Sequence, residues 1–166
     1  KAGIRFTPQP QRAIENGCGL VDTARVEQAS IAYSDKFVAT CPLVAALHLF
    51  ERHVLDPAAR RHLATGVARI NHVGTYSCRN VYGREAGRRS EHATANAIDI
   101  RGFVLDDGHI VSLARHWDGN RPAEAAFLRE VNDGACRFFN AVLGPDYNAA
   151  HRDHFHLDMG RWRACR

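Results

Sequence analysis

Several features that would assign a protein to other classes are missing from this 166-residue sequence. No apolar run reaches the length of a transmembrane helix, because Arg and Glu residues interrupt each hydrophobic stretch. No repeat or low-complexity segment is present, and Lys1 to Pro10 lack the pattern of a signal peptide. We therefore expect a chain without a transmembrane segment, in a mature or trimmed form.

Lysine is also scarce, since it occurs only at positions 1 and 36, and no run of basic residues has interleaved aromatic residues. The formal net charge is nevertheless +4. This balance favours simple solubility, or contact with an anionic polymer, over binding of nucleic acid. With 45% hydrophobic and 24% charged residues, the chain has the composition and length of one folded domain.

The cysteines form no Cys-x-x-Cys pair, which argues against a structural zinc knuckle. Five cysteines are spread along the whole chain, at positions 18, 41, 78, 136 and 165. Their number in a short chain predicts disulfides and an oxidising compartment, with buried free thiols in a cytosolic protein as the alternative. The odd count leaves one cysteine over, and the pairing stays open at this stage.

Hydrophobic spacing predicts an α+β domain in which helices come first and a small antiparallel sheet with an inserted helix follows. Residues 1–16 are predicted to be an irregular N-terminal arm, and residues 17–166 the domain. The first predicted helix covers 42–54, is capped by Thr40 and is broken or restarted at Pro57. A second helix is predicted from Pro122 to about 142. The predicted strands cover 67–72, 97–103, 109–113 and 154–159, with a loop over 77–91 and a turn at 106–108 that leads into the returning strand 109–113.

The segment His151-Arg152-Asp153-His154-Phe155-His156 is the first candidate site. On a strand, His154 and His156 share one face, while Phe155 points to the other face. Two imidazoles side by side gain little from a core but much from a shared metal or a catalytic pocket. The alternative is two solvated surface histidines.

The second candidate site is the segment Ser90-Glu91-His92-Ala93-Thr94-Ala95-Asn96-Ala97-Ile98-Asp99. Asp99 lies between Ile98 and Ile100, and burial of an unpaired carboxylate costs several kcal/mol, so it needs a partner. A metal cation and an Arg are the two candidates.

Together these segments resemble the zinc metallopeptidases that include D-alanyl-D-alanine carboxypeptidases, lysostaphin-like endopeptidases and the hedgehog signalling domain. The chain resembles more closely the bacterial extensin-like C-terminal domain family, over nearly the whole length from residue 17. The matching stretches are Cys18-Gly19-Leu20, Cys41-Pro42, Tyr76-Ser77-Cys78-Arg79-Asn80, Ser90-Glu91-His92, Asn96-Ala97-Ile98-Asp99, Ala135-Cys136, Val142-Leu143-Gly144-Pro145 and His151-x-Asp153-His154-Phe155-His156-Leu157-Asp158.

The resemblance implies a single catalytic zinc ion, carried by the antiparallel sheet. Its implied ligands are His92, Asp99 and His156, with an open position for water. It further implies Asp153 as the general base, His154 as a group that steadies the bound water or the oxyanion, and Arg79 as a substrate-binding residue. These roles follow from the match to the family pattern alone.

The function implied is hydrolysis of amide bonds in peptidoglycan stem peptides or cross-links, by a monomeric bacterial protein in the periplasm or outside the cell. A zinc-containing but non-catalytic cell-wall-binding module is the alternative, although such a module would not need Asp153. A disulfide-stabilised structural domain with incidental histidines is the third hypothesis.

Other polar and aromatic residues near these segments receive weaker assignments. Glu91 is expected either to support His92 or to be solvated, and Asp158 either to orient His156 or to cap the strand. His151 is expected on the surface rather than in the cleft. Packing is the preferred role for Trp117 and Trp162, over the lining of a groove.

Overall fold

The computed structural model of the chain describes residues 3–166. The first two residues of the predicted N-terminal arm therefore lie outside the described residues. None of the helices found between residues 3 and 166 combines the length and apolarity that a membrane crossing needs.

The described chain contains both helices and strands, as the hydrophobic spacing predicts, but the predicted order with helices first is wrong, because six strands precede the first helix. The strands are β1 (Arg5–Pro8), β2 (Arg12–Glu15), β3 (Cys18–Leu20), β4 (Thr23–Gln28), β5 (Ala32–Tyr33), β6 (Phe37–Thr40), β7 (Val67–Gly74), β8 (Ala97–Leu105), β9 (Ile110–Ser112), β10 (Ala141–Leu143), β11 (Phe155–Asp158) and β12 (Ala164–Cys165). The α-helices are α1 (Cys41–Phe50), α2 (Asp56–Leu63), α3 (Leu113–His116) and α4 (Pro122–Ala135).

The largest sheet has the strand order β12-β10-β11-β8-β7-β5, and β9 pairs with β8. Its centre is antiparallel, while the two outer pairs, β10 with β12 and β5 with β7, are parallel. The sheet is thus larger than predicted and not wholly antiparallel. Ile98 and Ile100 on β8 and Leu157 on β11 are fully buried in the core that α1, α2 and α4 also supply, so the residues between them face the other side.

The first helical region is longer than predicted. Thr40 caps α1 as expected, because its Oγ1 accepts a hydrogen bond from the backbone N–H of Leu43 at 3.4 Å. A π-helical turn at Glu51–Leu55 then leads directly into α2. Of the two alternatives predicted at Pro57, a restart is observed, because α2 begins at Asp56 with Pro57 in its first turn.

The second helix is shorter than predicted. α4 ends at Ala135, and Val142, which was predicted to continue its apolar face, belongs to β10. All three residues of β10 are buried between β11 and β12, and tertiary pairing therefore overrides the helical spacing of Val142. At the other end, the prediction of an irregular arm over residues 1–16 is wrong for β1 and β2. Both strands are exposed along their length and lack the alternation that would reveal them.

Two disulfides, Cys18–Cys78 and Cys136–Cys165, confirm the expectation of cross-links, and Cys41 is free and exposed. The first bond fixes β3 to the residue before Arg79. The second fixes the end of α4 to the edge strand β12. Such bonds are typical of proteins in oxidising compartments.

A buried carboxyl group makes the stability of this fold depend on pH. Glu51 is buried at the start of the π-helical turn and accepts a hydrogen bond from the Tyr33 hydroxyl at 2.7 Å. Burial raises the pKa of Glu51 to about 7, against the opposing effect of the Tyr33 hydrogen bond. The folded state binds this proton more tightly than the unfolded chain, so stability is fully present below the unfolded pKa and is lost as the pH rises through 7.

We therefore compare the free energy of unfolding of Glu51→Gln with that of the wild type at two pH values. The difference, variant minus wild type, is predicted to be larger at pH 8 than at pH 4 by up to about 3 kcal/mol. Urea unfolding of the variant and the wild type across this range measures the difference. Glu27→Gln, at an exposed position on β4, is the matched control and should give no such trend. A constant difference between wild type and Glu51→Gln at all pH values would contradict the prediction.

Candidate metal centre

The three residues implied as zinc ligands lie together on the face of the sheet opposite the core. Asp99 is on β8 and His156 on β11, and the antiparallel register places them directly opposite each other. His92 comes from a 3₁₀ turn, Glu91–Thr94, whose backbone is capped by the Ser90 hydroxyl. Side-chain exposure is 3% for His92, 14% for Asp99 and 12% for His156.

The potential ligand atoms of these residues form a nearly regular triangle. Asp99 Oδ1 lies 3.1 Å from His92 Nε2 and 2.9 Å from His156 Nδ1, and the two nitrogens are 3.2 Å apart. A tetrahedral zinc ion with ligands at about 2.0–2.1 Å has edges of about 3.3 Å between ligand atoms. The triangle is therefore close to one face of a zinc tetrahedron.

Hydrogen bonds on the far side of each imidazole determine where the protons are. The Thr75 carbonyl can only accept, so His92 Nδ1, 3.2 Å away, carries a proton. The Asp158 carboxylate, 3.0 Å from His156 Nε2, likewise only accepts hydrogen bonds, so Nε2 carries a proton. In the neutral rings, His92 Nε2 and His156 Nδ1 therefore aim lone pairs at the oxygen of Asp99. Three converging lone pairs repel one another unless a cation lies between them.

The charges around the site support the same conclusion. Burial works against a charge on His156, but hydrogen bonds to Asp158 and Asp99 outweigh it and raise the pKa of this ring to about 9. Burial alone would raise the pKa of Asp99, but its interactions with His156 and His92 hold it well below the ordinary value. Without a metal, a proton on His156 supplies the required positive charge.

Two imidazoles and one carboxylate form a donor set used by catalytic zinc sites. Hydrogen-bond acceptors behind both imidazoles, here Thr75 and Asp158, are the usual supports of such ligands. The residues present thus fit a zinc ion. The expectation that Asp158 orients His156 is confirmed by their hydrogen bond.

Asp99 and His156 open onto a cavity of about 490 Å³. Beside the cluster itself, apolar residues and the Glu91 carboxylate line it together with aromatic, cationic and imidazole side chains. They include Arg79, Arg88, Tyr82, Tyr147, Trp162, His151 and His154. Trp162 therefore lines the groove, whereas Trp117 is buried in the core and donates its indole N–H to Asp146.

His154 and Asp153 are brought to the same side of the cluster. His154 Nε2 lies 3.9 Å from Asp99 Oδ1, and its Nδ1 lies 2.9 Å from Asp153 Oδ1. His154 precedes β11 and still lies beside His156, as the prediction of a shared face requires. The side chain of His154 lines the cavity, whereas that of Asp153 does not. Asp153 instead lies behind His154, with Arg101 at 3.8 Å.

The remaining residues of the first segment have structural contacts. Glu91 accepts a hydrogen bond from the Asn96 amide at 3.0 Å, and Asn96 in turn accepts from the Thr40 hydroxyl. Neither alternative predicted for Glu91, support of His92 or full solvation, describes these contacts. They anchor the turn that carries His92 to the cap of α1.

His151 is the residue that sequence reasoning misplaced. It is only 8% exposed and lines the cavity, instead of lying on the surface. Its ring centroid is 5.3 Å from that of His154 and 5.9 Å from that of His156. Burial, together with these histidines, lowers the pKa of His151 to about 4. The spacing His151-x-x-His154-x-His156 was the available signal.

We predict that zinc binding at pH 7 releases about one proton, because the cation must displace the proton that His156 carries in the metal-free protein. The apparent zinc affinity should rise about tenfold per pH unit between pH 6 and the pKa of His156. Isothermal titration calorimetry in buffers of different ionisation enthalpy counts the protons. Binding without proton release would contradict this account of the site.

We also predict that His92→Ala lowers zinc affinity by at least about tenfold, because one of three ligands is lost. His53→Ala is the matched control, since His53 is exposed on the π-helical turn. Metal content after dialysis against a competing chelator distinguishes the variants. Equal zinc retention by both would remove His92 from the ligand set.

A comparison with known protein families identifies the chain. The family model described as "Extensin-like protein C-terminus" matches residues 1–166. Comparison with curated proteins and with solved structures gives no significant match. The match spans every residue discussed above, and the chain therefore belongs to the extensin-like protein C-terminus family.

Proposed function

We propose that this protein is a zinc-dependent peptidase that hydrolyses amide bonds in peptidoglycan stem peptides or their cross-links. One observation carries the proposal: the potential ligand atoms of His92, Asp99 and His156 lie at tetrahedral spacing from one another beside an open cavity. The disulfides support a periplasmic or secreted location.

A set of three protein ligands leaves the fourth coordination position of a zinc ion open for water or substrate. When bound, a zinc ion with an open coordination position supplies a water of lowered pKa and polarises the scissile carbonyl. Thr75 and Asp158 hold the imidazoles in the orientation that this requires. Asp99 contributes the negative charge that keeps a dication in place.

The geometry favours a different division of roles from the one the resemblance implies. His154 Nε2 faces the cluster, whereas Asp153 bonds to His154 Nδ1 from behind. We therefore assign proton transfer to His154, which accepts a proton from the attacking water and returns it to the leaving amine. Asp153 is a positioning residue that fixes the Nδ1–H tautomer and stabilises the imidazolium.

The cavity suits an anionic peptide. Arg79 and Arg88 line it, and neither has an ion-pair partner among residues 3–166. Free guanidinium groups bind carboxylates, often through two parallel hydrogen bonds. Stem peptides carry carboxylates close to their amide bonds, which supports this substrate class for Arg79 in particular.

Digestion of purified peptidoglycan by the zinc-loaded protein tests the proposal. Mass spectrometry of the soluble fragments should identify new amine and carboxyl termini within the peptides. Binding of zinc and peptidoglycan without any released fragment would support the non-catalytic binding module. Absence of zinc from protein purified without chelator would contradict both.

We predict that His154→Ala lowers kcat by at least about 100-fold while zinc is retained. Asp153→Asn should lower kcat less and alter the pH–rate profile, because it changes the tautomer and basicity of His154. His53→Ala is again the control. Unimpaired cleavage by His154→Ala, together with its loss in Asp153→Asn, would return the role of base to Asp153.

A further inference from the structure

His151 has no part in the proposed chemistry, although it is buried at the wall of the same cavity. It ends the short 3₁₀ turn Ala149–His151, which precedes His154. A buried imidazole beside two others needs a hydrogen-bond partner for each ring nitrogen. In His151, Nδ1 has such a partner, whereas Nε2 has none among residues 3–166.

Asn148 fixes the tautomer of His151. The backbone N–H of Ala150 can only donate, and it lies 3.0 Å from one side-chain atom of Asn148, so that atom is the amide oxygen. The same oxygen lies 2.8 Å from His151 Nδ1. An amide oxygen only accepts, so His151 Nδ1 carries the proton. The neutral ring therefore presents Nε2 as an acceptor.

A second contact holds Asn148 in this orientation. Its amide nitrogen donates to the Tyr82 hydroxyl at 3.0 Å, which links two separate segments across the cavity wall. Tyr82 has a φ of 59°, a left-handed conformation that is unfavourable for a residue with a side chain. Tyr82 and Tyr147 also pack against the ring of His151. The ring is thus held on three sides.

Nothing in the described part of the chain uses the remaining acceptor. No group of residues 3–166 hydrogen-bonds to His151 Nε2, and His151 lines the open cavity. Its ring lies beside His154 and His156. An amide held at the cluster by its carbonyl oxygen has its nitrogen only two bonds from that oxygen. Such an amide brings an N–H donor into the cavity that His151 lines together with His154 and His156.

We propose that His151 Nε2 accepts a hydrogen bond from the N–H of the scissile amide and so selects amides over esters of the same shape. This inference rests on the proposed function and names the substrate class of the same site. A site built to bond an N–H discriminates strongly against an analogue that lacks it, because its own polar group is then left unpaired.

Kinetics on a stem peptide and on the matching depsipeptide, in which oxygen replaces the scissile N–H, tests the proposal. His151→Phe keeps a ring of similar size but removes the acceptor, and should lower kcat/KM for the amide at least about tenfold while changing the ester about twofold or less. His151→Gln, whose amide oxygen can take the place of Nε2, should recover part of the loss. Equal losses on both substrates would overturn the proposal.

Two measurements keep the test independent of turnover. Nitrogen-15 NMR of the wild-type protein should show His151 protonated at Nδ1 and unprotonated at Nε2, and a proton on Nε2 at neutral pH would overturn the proposal. Zinc content should be unchanged in His151→Phe, whereas its loss would make His151 a ligand instead. If the wild type cleaves neither substrate, the proposed function fails. Calorimetric binding of the same two compounds then decides whether His151 distinguishes N–H from oxygen.

Discussion

The pairing of β8 with β11 is the constraint on which the rest of the site depends. The register places His156 directly across from Asp99, while Ile98 and Leu157 are paired on the core side. A shift by one residue would turn His156 into the core and Leu157 toward the cavity, because strand side chains alternate between faces. Burial of the apolar partners on one face therefore holds the two polar residues together on the other.

The cost of this arrangement is electrostatic, and the surrounding groups offset it. Two imidazoles and a carboxylate lie within hydrogen-bond distance of one another, with their protons directed outward to Thr75 and Asp158. Such a set is unfavourable when neutral and favourable around a positive charge. The arrangement therefore supports the proposal of a cation site. In that proposal, the histidine and arginine side chains of the cavity are the groups that contact the substrate.

The elements that could be predicted from the sequence are those with a regular spacing of apolar residues. The apolar residues of β8 and the apolar face of α1 are visible in the sequence, because both elements supply buried side chains to the core. β10 and the π-helical turn could not be foreseen, since neighbouring strands and helices impose them. The exposed strand β1 has no periodicity to detect.

The candidate site, too, could be predicted from the sequence only in part. A partner for Asp99 was required by its place between two isoleucines, but the choice of His92, distant from His156 in sequence, came from family resemblance. The contribution of His151 depends on a side-chain contact with Asn148 that spacing does not reveal.

The most direct test of the central claim is X-ray diffraction from zinc-loaded crystals, with anomalous data collected at the zinc absorption edge. The account predicts one strong anomalous peak, at about 2.0–2.2 Å from His92 Nε2, Asp99 Oδ1 and His156 Nδ1. A peak elsewhere, or no peak in crystals grown from protein with excess zinc, would contradict it.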